Sequence, residues 1–475
     1  MIFSSPEFCL AFLPITVILY YCILRSQYKE YTAFFIFFVS LVYYTWWRPD
    51  NIWIILFSIL ANYTIGQAIA NAVRLQRLLF VCGVAGNLLA LGWYKYTDFV
   101  ITNLNTLLHT SIPLQNIILP IGISFFTFQQ IAYLTDIYTK KHDPEDEGFI
   151  NYCCFVCFYP QLVAGPIVHH QEMMPQFFDS ANQVVRWENI FYGIVIFVIG
   201  LTKKLIIADN LSPIARYCFD TAPSLTFMEA TFGSITYSLQ LYFDFSGYSD
   251  MAVGAALLFN IRLPWNFNSP YQAENIQDFW RRWHITLSRW LRDYLYIPLG
   301  GNRRGAVRTT GNLVLTFLLG GLWHGAAWTF LIWGALHGLA LVVQRLWHNA
   351  GYHMPRLAGW LVTFVFVNLA WVVFRAPSME RLQLFAEAFT GQNGLDCQKA
   401  FFREISRAVG GDHTFTVIAG WVLVCLAVTL LAPNTYKLTK LHPRILLWFA
   451  VLLTFVCLFG LSFPPEYPEF IYSKF

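Results

Sequence analysis

Apolar runs follow one another along most of the chain, at residues 8–24, 32–47, 52–72, 77–94, 117–137, 149–165, 188–206, 228–258, 312–346, 358–374, 415–432 and 444–463. Most are near the ~20 residues that a helix needs to cross hydrocarbon. The pattern predicts an all-α polytopic membrane protein with about eleven or twelve transmembrane helices, forming one integral membrane domain over residues 1–475. Two runs depart from a simple span. The run 228–258 holds FDFSGYSD, too polar and turn-prone for a regular lipid-facing helix, and is predicted to be broken and buried in protein. The run 312–346 is longer than one span needs, so it is predicted to tilt or to bend at its glycines.

Composition agrees. Hydrophobic residues make up 57% of the chain and charged residues only 12%, against about 25% charged in soluble domains. A soluble core has no room for so much apolar surface, so membrane lipid is the expected surrounding. The net charge of +4 argues neither way on nucleic acid, and no nucleic-acid partner is expected. The position of the charge says more. Arg25 and Lys29 follow the first run, Arg74 and Arg77 the third, and Lys140 and Lys141 the fifth. That alternation predicts basic loops in the cytoplasm and an N-terminus outside. The N-terminal run lacks a basic lead and a small-residue cleavage site, so it reads as a retained span. No internal or inverted repeat is evident, which weighs against a secondary transporter. The 10 cysteines lie mostly in apolar runs and read as packing residues. Cys153, Cys154 and Cys157 form a cluster without a matching second pair of ligands, so neither a metal nor a bound cofactor is expected.

One polar stretch stands apart, QDFWRRWHITLSRWLRDYLYIPLGGNRRG from Gln277 to Gly305. As a continuous helix it would gather Trp280, Trp283, Leu287, Trp290, Leu291 and Tyr294 on one face. Arg281, Arg282, Arg289 and Arg292 would gather on another. It is therefore predicted to be amphipathic, at or tucked into the membrane surface. The arginines suit anionic lipid, and equally the phosphates of a nucleotide-type donor. His284 falls on the seam between the faces. It reads either as an interfacial histidine or as a histidine held where a charged ligand meets an apolar cavity.

A second histidine, His324, lies inside an apolar run beside Gly320, Gly321 and Ala327. Its small neighbours admit close helix packing or open space beside an imidazole. His337 is 13 residues further on, roughly 220° round a straight helix. On such a helix it shares no site with His324 and reads as structural, bonded to a neighbouring helix. His169 and His170 fall near a membrane boundary and read as interfacial. Neutral imidazole is a good general base near pH 7, and it suits deprotonation of a hydroxyl that attacks a thioester.

Five motifs together carry a resemblance: LPIGISFFTFQQIAYLTDIY from Leu119, FYPQLVAGPI from Phe158, LYFDFSGYSDMAVG from Leu241, FWRRWHITLSRWLRDYLYIPLGGNRRG from Phe279 and LLGGLWHG from Leu318. The chain resembles the membrane-bound O-acyltransferase (MBOAT) family, in its bacterial alginate O-acetyltransferase branch. The resemblance implies helices, some re-entrant or amphipathic, around a central channel. It implies acetyl transfer from a cytoplasmic thioester, acetyl-CoA or an acyl-carrier thioester, to an extracytoplasmic polysaccharide such as alginate, cellulose or peptidoglycan. A periplasmic acetyltransferase partner and the bacterial inner membrane are implied with it. The family's catalytic histidine falls on His324 and its second motif histidine on His284. The donor's phosphates are expected at Arg281, Arg289 and Arg292, and its arm past Trp283 and Ser288. Asp244 and Asp250 are expected to be buried beside the channel. The ending FIYSKF departs from relatives at Ser473 and Lys474. The alternatives are D-alanyl transfer from a carrier protein to teichoic acid, as in a related branch, and a non-enzymatic transporter of polymer or lipid-linked sugar.

Overall fold

The computed structural model describes residues 1–46, 48–72, 74–141, 148–410 and 415–462. Ser473 and Lys474 lie outside the described residues. Among the described residues the chain is helical and holds no strand. In chain order its helices are α1 (Leu13–Leu24), α2 (Thr32–Thr45), α3 (Ile52–Asn71), α4 (Gln76–Leu108), α5 (Ile123–Tyr138), α6 (Phe149–Cys157), α7 (Tyr159–Leu162), α8 (His170–Phe178), α9 (Trp187–Thr202), α10 (Asp209–Arg216) and α11 (Phe227–Leu257). There follow α12 (Ile276–Arg282), α13 (Ile285–Leu291), α14 (Ala306–His324), α15 (Trp328–Asn349), α16 (Arg356–Arg375), α17 (Met379–Phe389), α18 (Lys399–Val409), α19 (Phe415–Leu431), α20 (Thr435–Leu438) and α21 (Pro443–Ser462).

Among the described residues, six helical stretches are long and apolar enough to cross a membrane: Pro49–Asn71, Gln76–Leu108, Trp187–Thr221, Trp328–Asn349, Arg356–Arg375 and Pro443–Ser462. Shorter apolar helices cover Phe8–Leu24 and Thr416–Leu431. The all-helical membrane architecture expected from the apolar runs therefore holds, though some runs fold differently in detail. The run 149–165 divides into α6 and α7, with Pro160 at the start of the second. The run 117–137 becomes α5, nearly every residue of which is buried in protein.

The chain divides into two compact units, Met1–Val198 with Tyr248–Trp265, and Ile199–Gly247 with Asn266–Phe475. In the first, aromatic rings form much of the core: Phe3 stacks on Tyr248 at 4.8 Å, and Phe8 meets Tyr43 at 5.8 Å. Asn62 and Asn87 exchange side-chain hydrogen bonds of 3.2 and 2.6 Å between α3 and α4, which satisfies both amides inside apolar helices. Cys153, Cys154 and Cys157 are fully buried on α6, and the Cys154 thiol donates to the Ala33 carbonyl at 3.1 Å. His170 is fully buried against Tyr133 and Phe155, not interfacial as its sequence position suggests.

Two further expectations change. The FDFSGYSD segment is buried, but it is not broken: it lies inside α11, a helix of 31 residues. Lys204 meets Asp244 at 2.6 Å, and within a helix the backbone groups bond to one another, so no break is needed. Gly247 allows the close approach, because a side chain there would run into the Gly200 carbonyl. The run 312–346 neither tilts nor bends as one helix. It folds back as two, α14 and α15, joined by Gly325–Ala327 in extended conformation at both ends. Gly321 and Gly334 press against each other's helix backbones. Gly321, three residues before His324, thus serves close helix packing.

Candidate active site

His284 does not sit in a continuous amphipathic helix. Asn275 caps α12 by accepting from the Asp278 amide at 2.8 Å, and α12 ends at Arg282. Trp283 is extended, and His284 takes a left-handed backbone conformation, φ 42° and ψ 53°, before α13 begins. Left-handed backbone costs about 1–2 kcal/mol for an L-residue. The neighbouring chain holds it: the Ile285 amide donates to the Asn266 carbonyl at 3.0 Å, and the Asn268 amide to the Arg282 carbonyl at 2.9 Å.

The same neighbour sets the imidazole. His284 Nδ1 is 3.1 Å from Asn266 Oδ1, and that oxygen also accepts from the Thr286 amide at 3.3 Å and from its hydroxyl at 3.0 Å. A backbone amide only donates, so the Asn266 atom it meets is oxygen. His284 Nδ1 therefore carries the proton, and Nε2 holds the lone pair. His284 is fully buried, and burial lowers its pKa to about 3, so the ring stays neutral. Phe245 of α11 meets it edge-to-face at 4.8 Å.

His324 is the last residue of α14 and is 3% exposed. Trp323 packs against both histidines, its ring 6.4 Å from His284 and 5.0 Å from His324. Residues 40 apart in sequence thus share one aromatic cluster. Trp333 closes on His324 at 5.2 Å with perpendicular rings, and Phe374 at 5.3 Å. Because the chain reverses after His324, His337 also returns to this cluster, 4.7 Å from Trp333. The rotation on a straight helix that kept them apart does not apply. The expected bond from His337 to a neighbouring helix is present: the Trp280 indole donates to its Nδ1 at 3.2 Å.

The remaining expected residues divide. Arg281 and Arg292 are exposed, while Arg282 and Arg289 are half-buried. Arg292 holds Asp293 through two bonds of 2.7 and 3.1 Å, and Arg282 holds Asp278 at 2.9 Å. Trp283 is buried in the core, 4.9 Å from Trp371 and 5.1 Å from Phe267. Ser288 is half-buried one turn into α13.

Sequence reading missed two supports. Asn266 gives no sign beyond lying in a polar, proline-flanked loop. Lys204 does give one, as a lysine in an apolar run. Its ammonium meets Asp244 at 2.6 Å and Asp209 at 2.8 Å, all three side chains being less than a tenth exposed. On α11, Asp244 precedes Phe245, the ring that packs on His284.

The sequence model of the MBOAT, membrane-bound O-acyltransferase family, matches residues 88–379, which include both histidines. The chain is 46% identical over 428 residues to a peptidoglycan O-acetyltransferase of Helicobacter pylori, covering 83% of this chain and 81% of that one. It is 41% identical over 389 residues to a probable alginate O-acetylase, AlgI, of Pseudomonas aeruginosa, covering 80% and 73%. A teichoic acid D-alanyltransferase of Bacillus subtilis is 30% identical over 285 residues, 55% of this chain and 70% of the other.

Proposed function

Since the chain belongs to the membrane-bound O-acyltransferase family and is a multi-pass membrane acyltransferase, we propose that it transfers acetyl groups, working as one integral domain over residues 1–475. The acetyl group comes from a cytoplasmic thioester, acetyl-CoA in the first instance, and passes across the inner membrane to an extracytoplasmic polysaccharide. A periplasmic partner completes the modification, and the N-terminus lies on the periplasmic side. The peptidoglycan and alginate named for the relatives support a polysaccharide acceptor. The D-alanyltransferase is the more distant likeness and covers only about half of this chain, and membership of an acyltransferase family weighs against a transporter.

The observation that carries this reading is that His284 and His324 both pack against Trp323. His324 is the general base: it takes the proton of the acceptor hydroxyl as that oxygen attacks the thioester carbon, and returns it to the leaving thiolate. His284 positions the donor. Its proton is committed to Asn266, so its Nε2 accepts a hydrogen bond, as from an amide N–H of the pantetheine arm, and does not polarise a carbonyl. The donor's phosphates stay at the interface, where Arg281, Arg289 and Arg292 receive them, because phosphate does not enter hydrocarbon cheaply. The arm runs inward along Ser288, with Trp283 forming the wall behind it.

Purified protein given labelled acetyl-CoA and an acceptor tests this. His324→Ala should lower transfer by about 10²–10⁴-fold while the protein still folds and extracts normally. Near-normal transfer by that variant removes His324 from the base role.

A further inference from the structure

Acyl transfer places negative charge on the thioester's carbonyl oxygen, and that oxygen needs hydrogen-bond donors already in place. His284 does not supply one, since its proton faces Asn266. The donors must come from elsewhere in the cluster around His324.

Trp333 and His337 are one turn apart on the same face of α15, 1% and 0% exposed. The tautomer of His337 follows from its partner. The indole N–H of Trp280 donates to its Nδ1, so Nδ1 holds the lone pair and the neutral ring carries its proton on Nε2. That Nε2 is buried without an acceptor among the described residues, and so is Trp333 Nε1. Two N–H groups on rings 4.7 Å apart are thus buried without an acceptor among the described residues, although buried donors nearly always find partners and apolar surroundings make the omission costly. Trp333 is also the ring that packs perpendicular to His324 at 5.2 Å, and His337 is 4.7 Å from Trp333. Its second face is held by Trp371, 5.7 Å away and nearly parallel. Trp333 is therefore held firmly against the proposed base, and His337 packs on Trp333 one turn further along α15.

We propose that Trp333 Nε1–H and His337 Nε2–H bind the acyl carbonyl oxygen and stabilise the oxyanion that forms on it. The inference rests on the acetyl-transfer reading above. The acceptor oxygen bonds to the acyl carbon, its proton moves to His324, and the carbonyl π pair becomes the oxyanion held by the two N–H groups. On collapse the C–S bond breaks, the carbonyl re-forms, and the thiolate takes the proton from His324. Trp280 and the WRRWH segment then have a further use, since the Trp280 indole sets the tautomer that makes His337 a donor.

The test uses the full-length protein in detergent, with acetyl-CoA and a fixed acceptor. Trp333 is replaced by benzothienylalanine, which keeps the ring shape and puts sulfur where the N–H was. The expected result is a fall in kcat of about 10²–10³-fold, a KM for acetyl-CoA within about threefold of wild type, and a melting temperature unchanged or raised. A purely structural Trp333 would leave kcat intact, and kcat within about twofold of wild type overturns the proposal. His337→Gln, whose amide offers both an acceptor to Trp280 and a donor, should stay within about tenfold of wild type, whereas His337→Phe should lose about 10²-fold. Equal kcat for the Gln and Phe variants removes His337 from the pair. Wild-type protein that leaves acetyl-CoA intact overturns the acetyl-transfer reading and this proposal with it. An active wild type with an equally active isostere overturns this proposal alone.

Discussion

Asn266 Oδ1 and His284 Nδ1 are 3.1 Å apart, and the same oxygen accepts from both the amide and the hydroxyl of Thr286. One side-chain carbonyl therefore fixes the tautomer of the histidine and closes the break between α12 and α13. Asn266→Ala should leave three buried donors without their acceptor, each loss costing about 1–3 kcal/mol. Thermal unfolding should record that loss. Acetyl transfer should fall by about tenfold or more at temperatures where the protein remains folded, because the imidazole is no longer held in one tautomer. Unchanged stability and rate would mean that Asn266 does not hold His284.

Burial lowers the pKa of His284 from the usual 6.5 to about 3. The sign follows from linkage. Between those values the unfolded chain binds a proton on this histidine and the folded chain does not, so stability falls as pH drops from about 6.5 towards 3 and is unaffected above that window. Melting curves in detergent between about pH 4 and pH 8 should show this acid-side loss, and His284→Gln should flatten it. An identical acid limb in the variant would place the sensitivity elsewhere.

The Lys204 ammonium forms a buried group with Asp209 and Asp244. Lys204→Met would strand two carboxylates away from water, and breaking such a buried pair costs about 3–5 kcal/mol. The folded yield and the melting temperature should both drop sharply. Replacing the two acids together with the lysine, as Asp209→Asn and Asp244→Asn, should restore much of the loss. A Lys204→Met protein as stable as wild type would contradict the ion cluster.

Arg281→Glu combined with Arg289→Glu should raise the KM for acetyl-CoA much more than it lowers kcat, and added salt should act in the same direction on the wild type. Arg292→Glu alone should do less, because Arg292 is bound to Asp293 through two hydrogen bonds. If the double reversal leaves KM unchanged, these arginines face lipid and not the donor.

The apolar runs by themselves determined that the protein is helical and crosses a membrane, because hydrocarbon accepts a chain only when its backbone is bonded within itself. The motifs, too, marked His284 and His324 without coordinates. Tertiary structure decided how those residues meet. A straight-helix reading separated His324 from His337, but the chain reverses at Gly325–Ala327, and close packing at Gly321 and Gly334 returns both to one cluster. A continuous amphipathic helix put His284 on a seam. A left-handed backbone at that residue, held by the loop 18 residues upstream, turned the ring into the core and fixed its proton. FDFSGYSD looked too polar for a helix because its partner, Lys204, lies on another helix some 40 residues earlier in the chain. Local sequence records which groups are polar, but the cost of burying them depends on partners that only the folded chain brings within a hydrogen bond.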